Sequence, residues 1–162
     1  MTHAPLRIWI PSNRRYDDGS PKGMDSFNEI INANRSGRIV GSRMERENVM
    51  WCATYVRKAM ADQGWPAMRD KASAVPCKVC LMFVEPNAMR DVPNVYGQSK
   101  FAIDALTARH SLGAGAIYDD SQRWLDRSVC MGVRVEPGRA GIEITVIALG
   151  DIQDALPIGG MR

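Results

Sequence analysis

The sequence predicts a mixed α+β domain built on a small sheet of about four strands packed with two main helices. Three observations carry that prediction. The first is the order in which β-rich runs and helical periodicities follow one another along the chain, which is β, α, β, α, β, β. The second is an apolar run, "AVPCKVCLMFVEP", that reads as a strand buried on both faces and so central in its sheet. The third is size: 162 residues with 45% hydrophobic and 24% charged content suit one domain, spanning 1–162, with one core.

The elements follow in order. "LRIWI" alternates and is stopped by "PSN", which marks a first strand. Residues 17–42, "DDGSPKGMDSFNEIINANRSGRIVGS", carry turn formers throughout, predicting a long basic loop or insertion with one helical turn near "FNEII". Between 43 and 63, Val49, Cys52, Ala53, Val56, Ala59 and Met60 recur on one helical face, and Gly64 followed by Pro66 ends the run. The apolar second strand leads to the loop "NAMRDVPN". "NVYGQSKFAIDALTARHSL" then reads as a second helix packing through Phe101, Ala102, Ala105 and Leu106. Its end places His110 as a partner for the helix C-terminus. The stretch 128–149 holds two β-rich arms around "EPGRAG" and predicts a hairpin, and 151–162 reads as a frayed tail.

Charge and cysteine content narrow the function. The formal charge is +3, and "SNRR", "NRSGR", "SRMER" and "VRK" concentrate the basic residues between 12 and 58. That half suits contact with phosphates, although solvated surface charge explains such runs as well. No apolar stretch is long enough to span a bilayer and the N-terminus has no signal-like cleavage pattern, which predicts a cytoplasmic protein without membrane partners. Of the four cysteines, Cys77 and Cys80 form a "CKVC" that looks like a redox motif or half a zinc site. Placed on a strand, however, they face opposite sides, which argues for reduced, mostly buried thiols.

The acids pose the functional question. Asp119 and Asp120 stand side by side in "AIYDDSQRW", where they form either a turn or half of a metal site. Asp91 follows the second strand, and a strand–loop–helix–loop–strand layout brings both loops to one sheet edge. Lys100 either orients the reacting groups there or simply pairs with Asp104 four residues on.

"RDVPN", then "KFAIDALT", then "GAIYDDSQ" resemble the core of the RusA-type Holliday junction resolvases, and "IWIPSNRRY" resembles their first strand. The resemblance runs in order along most of the chain. It implies a homodimeric endodeoxyribonuclease, of a kind that often travels with phages and prophages, that uses Mg²⁺ or Mn²⁺ to nick paired strands of four-way DNA junctions. By position it implies Asp91, Asp120 and Lys100 as catalytic residues and Asp91, Asp120 and Asp119 as metal ligands. Asn13, Arg14, Arg15, Arg35, Arg38, Arg43, Arg90 and Asn94 are the corresponding candidates for DNA contact. The chain departs from the pattern at Pro93, where the family has a second acid, and in about three extra residues near "VYG". A rescue by Asp119 or Glu85 would keep the enzyme active; without it the chain is a catalytically impaired relative that binds branched DNA without cleaving it.

Overall fold

A computed structural model describes residues 4–126 and 130–149; the tail at 151–162 lies outside them. Four strands form the main sheet: β1 (Leu6–Pro11), β4 (Cys77–Glu85), β5 (Cys130–Val135) and β6 (Gly141–Ala148), in the order β1-β6-β4-β5. β6 runs antiparallel to β1 and to β4, whereas β5 runs parallel to β4. The sheet is therefore mixed, and the apolar strand β4 is central, as its composition predicts.

Strand pleating sends alternate side chains to opposite faces. Leu6, Ile8 and Ile10 of β1, Cys77, Val79, Leu81 and Phe83 of β4, and Ile142, Ile144 and Val146 of β6 are buried in one core. Helix α2 (Arg38–Gln63) closes that core with Val49, Cys52, Ala53, Val56 and Met60, and Ala59 packs against its margin. Its C-cap Gly64 adopts φ 65°, the left-handed conformation in which glycine carries no Cβ penalty, and the helix stops where the sequence predicts. Gln63 then exchanges two hydrogen bonds with the backbone of Arg7, at 2.6 and 3.0 Å, and so ties the helix end to β1.

Two sequence expectations are corrected. The stretch 17–42 is not a long loop. Arg14–Arg15 (β2) pairs with Pro21–Lys22 (β3) in a short ribbon, helix α1 covers Phe27–Ser36, and α2 begins at Arg38. The signal for α1 is a capping box in "SFNE". Ser26 Oγ accepts from the Glu29 N–H at 3.4 Å, and the Glu29 carboxylate accepts from the Ser26 N–H at 2.8 Å. The turn formers around it mask a ten-residue helix.

The second correction concerns 128–149, which is not a hairpin. β5 and β6 flank β4 rather than pairing with each other. The loop between them steps over the end of β4, where the Glu136 N–H donates to the Glu85 carbonyl at 2.9 Å. Two inter-strand spacings, about 9.6 Å, are within easy reach of such a loop. Two β-rich arms around Pro-Gly thus serve an arch over one strand as well as they serve a hairpin.

Candidate functional site

The site begins where β4 ends. Glu85, the last residue of the strand, has a side chain only 5% exposed and is held by Arg90 at 2.6 and 3.0 Å and by Gln98 at 3.1 Å. Arg90 also donates to the Met24 carbonyl at 2.7 Å and lies 3.7 Å from Glu29. Glu29 in turn pairs with Arg14 at 2.6 Å, and Arg14 with Asp25 at 2.9 Å. One ion network therefore ties the end of β4 to β2 and to the start of α1. Burial by itself would raise the Glu29 pKa, but the hydrogen bonds from Arg14 and Ser26 and the Arg14 charge bring it down to about 2.

This network bears on two expectations. Glu85 is committed to Arg90 and Gln98, so it does not swing in as a substitute ligand. Arg14 and Arg90, both candidates for DNA contact, spend their charge on carboxylates inside the fold. Asn13, Arg15, Arg35, Arg38 and Arg43 remain exposed, with Arg43 pairing Glu47 at 2.8 Å, while Asn94 is half-buried.

Asp91 is the N-cap residue of helix α3 (Val92–Tyr96), where its carbonyl accepts from the Asn94 and Val95 N–H groups and its side chain makes no cap bond. Pro93 stands in the first turn of that helix, a position that suits proline because no intrahelical N–H is lost there. Val95 and Tyr96 of "VYG" belong to α3, which packs against α1. The second helix of the sequence reading is thus split, with α4 covering Ser99–Leu106. Its stripe of Phe101, Ala102, Ala105 and Leu106 is buried as expected.

α4 ends earlier than its periodicity suggests. Thr107 turns extended (ψ 131°) and bridges Ile117, and the Ala108 N–H donates to the Ile117 carbonyl at 2.9 Å. The Ala114, Gly115 and Ile117 N–H groups donate back to Ala105 and Leu106. His110 consequently lies beyond the helix, where its Nδ1 accepts from the Leu112 N–H at 3.2 Å. Gly113 is required in this fold-back, because a Cβ there would overlap the Thr107 carbonyl oxygen.

The fold-back delivers "YDD" to the C-terminal half of α4. Tyr118 and Trp124 pack ring against ring, with centroids 4.8 Å apart and planes tilted by 58°, and anchor the segment; the Ser121 N–H lies 3.4 Å from Asp119 Oδ1. Asp119 thus takes part in a turn, and its carboxyl is close enough to that of Asp120 to share a hydrogen bond with it. Burial, that hydrogen bond and the charges of Asp119 and Asp104 raise the Asp120 pKa above the usual carboxylate range. Asp104 pairs with Lys100 at 2.8 Å, and Lys100 also pairs with Glu45 of α2. Burial works against the Lys100 charge, but these two carboxylates hold its pKa above the ordinary value.

The structure thus groups Asp119, Asp120, Asp104, Lys100 and Glu45. Among the charges that raise the Asp120 pKa are those of Asp119 and Asp104. Among the described residues, no three His, Cys, Asp or Glu side chains gather closely enough to hold a metal ion. What the fold supplies is a pair of repelling carboxylates. That donor set fits Mg²⁺, which is commonly bound through one or two carboxylates and completes its shell with water and substrate phosphate. Asp104 was legible as the i+4 partner of Lys100, whereas nothing local in the sequence points to Glu45. Compared with known proteins, the chain matches no family model and no curated sequence.

Proposed function

We propose that the protein is a structure-selective DNA endonuclease of the RusA resolvase type, which nicks paired strands of four-way junctions as a homodimer. The observation that carries this reading is the fold-back of 107–117, which brings Asp119 and Asp120 under the charge of Asp104, the α4 residue that pairs with Lys100. In this reading Asp119 and Asp120 hold Mg²⁺, or Mn²⁺ in its place. Such an ion activates water and stabilises the charge that develops on a phosphodiester.

The chain's own residues do the rest. A DNA phosphate competes with Asp104 and Glu45 for the Lys100 ammonium, so the ion pairs hold the lysine ready near the carboxylates until substrate arrives. Asp104 is a positioning residue for Lys100. The exposed Asn13, Arg15, Arg35, Arg38 and Arg43 offer the phosphate contacts, and two-fold pairing would present two identical sites to a two-fold junction.

A second reading has its own support. Pro93 occupies the position of a family acid as a helix-starting residue, Asp91 caps α3, and among the described residues no three acids gather to hold a metal. These favour a protein that binds branched DNA without cutting it. Incubating a synthetic four-way junction with Mg²⁺, beside linear duplex and an Asp120→Asn control, separates the two. Paired nicks on the junction alone, lost in the variant, support the nuclease. Junction binding with no cleavage in Mg²⁺ or Mn²⁺ supports the binder. Neither binding nor cleavage overturns both.

A further inference from the structure

The face of the sheet turned away from the helices carries a second feature, unrelated to the aspartates. Cys80 of β4 and Cys130 of β5 are direct partners in the parallel ladder, so their side chains share one face of the sheet, and the Cys130 thiol is near enough to help raise the Cys80 pKa. Cys77, three residues earlier, points into the core against Met68 Sδ at 3.9 Å, so strand pleating has separated the two thiols of "CKVC". Cys52 is fully buried in α2. Cys80 is half-buried and Cys130 is exposed. Side chains directly opposite in neighbouring strands lie at a Cα separation of about 5 Å, which falls inside the range a disulfide spans.

We infer that Cys80 and Cys130 form a reversible modification site, a vicinal thiol pair that closes to a disulfide by exchange with a small-molecule disulfide such as oxidised glutathione. The exposed Cys130 reacts first. Its thiolate attacks one sulfur of glutathione disulfide, forms a mixed disulfide and releases one glutathione thiolate. The Cys80 thiolate, its proton lost to solvent, then attacks the Cys130 sulfur and releases the second glutathione. Two protein thiols are oxidised, one glutathione disulfide is reduced to two glutathiones, and no other reactant is needed.

The placement gives the bond a consequence. Among the described residues β5 is an edge strand, hydrogen-bonded only to β4 in the main sheet. The crosslink fastens that edge and closes the loop 81–129, which contains Asp91, Lys100, Asp104, Asp119 and Asp120. Restricting the unfolded chain in this way stabilises the folded one.

The test is to incubate the full chain with excess oxidised glutathione, quench with acid, and count thiols in denaturant. Trypsin separates Cys77 from Cys80 at Lys78, so the linked peptide is diagnostic. The expected result is a fall from four thiols to two, a mass loss of about 2 Da for two hydrogens, and one linked pair of peptides, 79–90 with 128–134. Cys130→Ser should abolish the linked pair, Cys77→Ser should leave it intact, and the crosslinked form should melt at a higher temperature than the reduced form. Retention of four thiols, a glutathione adduct on Cys130 that never resolves, or a bond through Cys52 or Cys77 would each overturn the assignment.

Discussion

Replacing Arg90 with methionine distinguishes an arginine that holds the fold together from one that holds DNA. Arg90→Met keeps most of the side chain's apolar stem and removes the guanidinium. Glu85, with a side chain 5% exposed, would lose both charge-assisted hydrogen bonds, at 2.6 and 3.0 Å, and keep only the neutral one from Gln98. The Met24 carbonyl would lose its bond as well. Removing one partner of a buried pair leaves an uncompensated charge and costs about 3–5 kcal/mol. That is a large share of the ~5–15 kcal/mol a domain of this kind has in total.

Urea unfolding at pH 7, followed by tryptophan fluorescence, measures the loss. A double-mutant cycle with Glu85→Leu isolates the coupling, since taking away the buried carboxylate too should recover about 2 kcal/mol. A loss below about 1 kcal/mol in the single variant, or simple additivity in the cycle, would refute the argument. Arg90 would then be free for DNA, and its variant should weaken junction binding at unchanged stability.

The other predictions follow from the same geometry. The Glu29 pKa of about 2 lies below its ordinary 4.5, so its stabilisation is fully present above pH 4.5 and fades as pH falls towards 2. Because the side chain is 33% exposed, that contribution is about 1–2 kcal/mol; the stability gap between wild type and Glu29→Gln should narrow from pH 5 to pH 2, and a constant gap would contradict the assignment. Gly113→Ala would push the fold-back off Thr107 and should cost about 1–3 kcal/mol, lowering the midpoint of thermal unfolding together with any junction cleavage. Asp120→Asn removes a repelled surface charge and should leave stability within ~0.5 kcal/mol while abolishing junction nicking; a variant that unfolds would instead mark Asp120 as structural. Burial pushes the Cys52 and Cys77 thiols up to about 12, so in the native protein both should react with an aromatic disulfide reagent far more slowly than Cys130 does.

The sequence by itself determined the local architecture. The alternation of "LRIWI", the apolar run around Phe83, the helical stripe from Val49 to Met60 and the glycine stop at Gly64 each follow from side-chain chemistry over a few residues, and each is present in the fold. It also determined that Cys77 and Cys80 face opposite sides, since strand pleating leaves no other choice. The "SFNE" capping box was equally local, although the turn formers on both sides obscured it.

Tertiary structure alone decided which segments meet. Whether the arms around "EPGRAG" pair with each other or with β4 depends on the energy of the whole sheet, because the same alternating pattern serves either arrangement. Whether Arg14 and Arg90 face DNA or carboxylates depends on Glu29, Asp25 and Glu85, which lie on other elements. Lys100 and Asp104 are neighbours by helical spacing, but Glu45 reaches Lys100 only because α2 crosses α4. Asp120 likewise comes under the charge of Asp104 because Thr107 leaves the helix to bridge Ile117. A motif fixes which side chains are available along the chain; long-range pairing fixes which of them share a site.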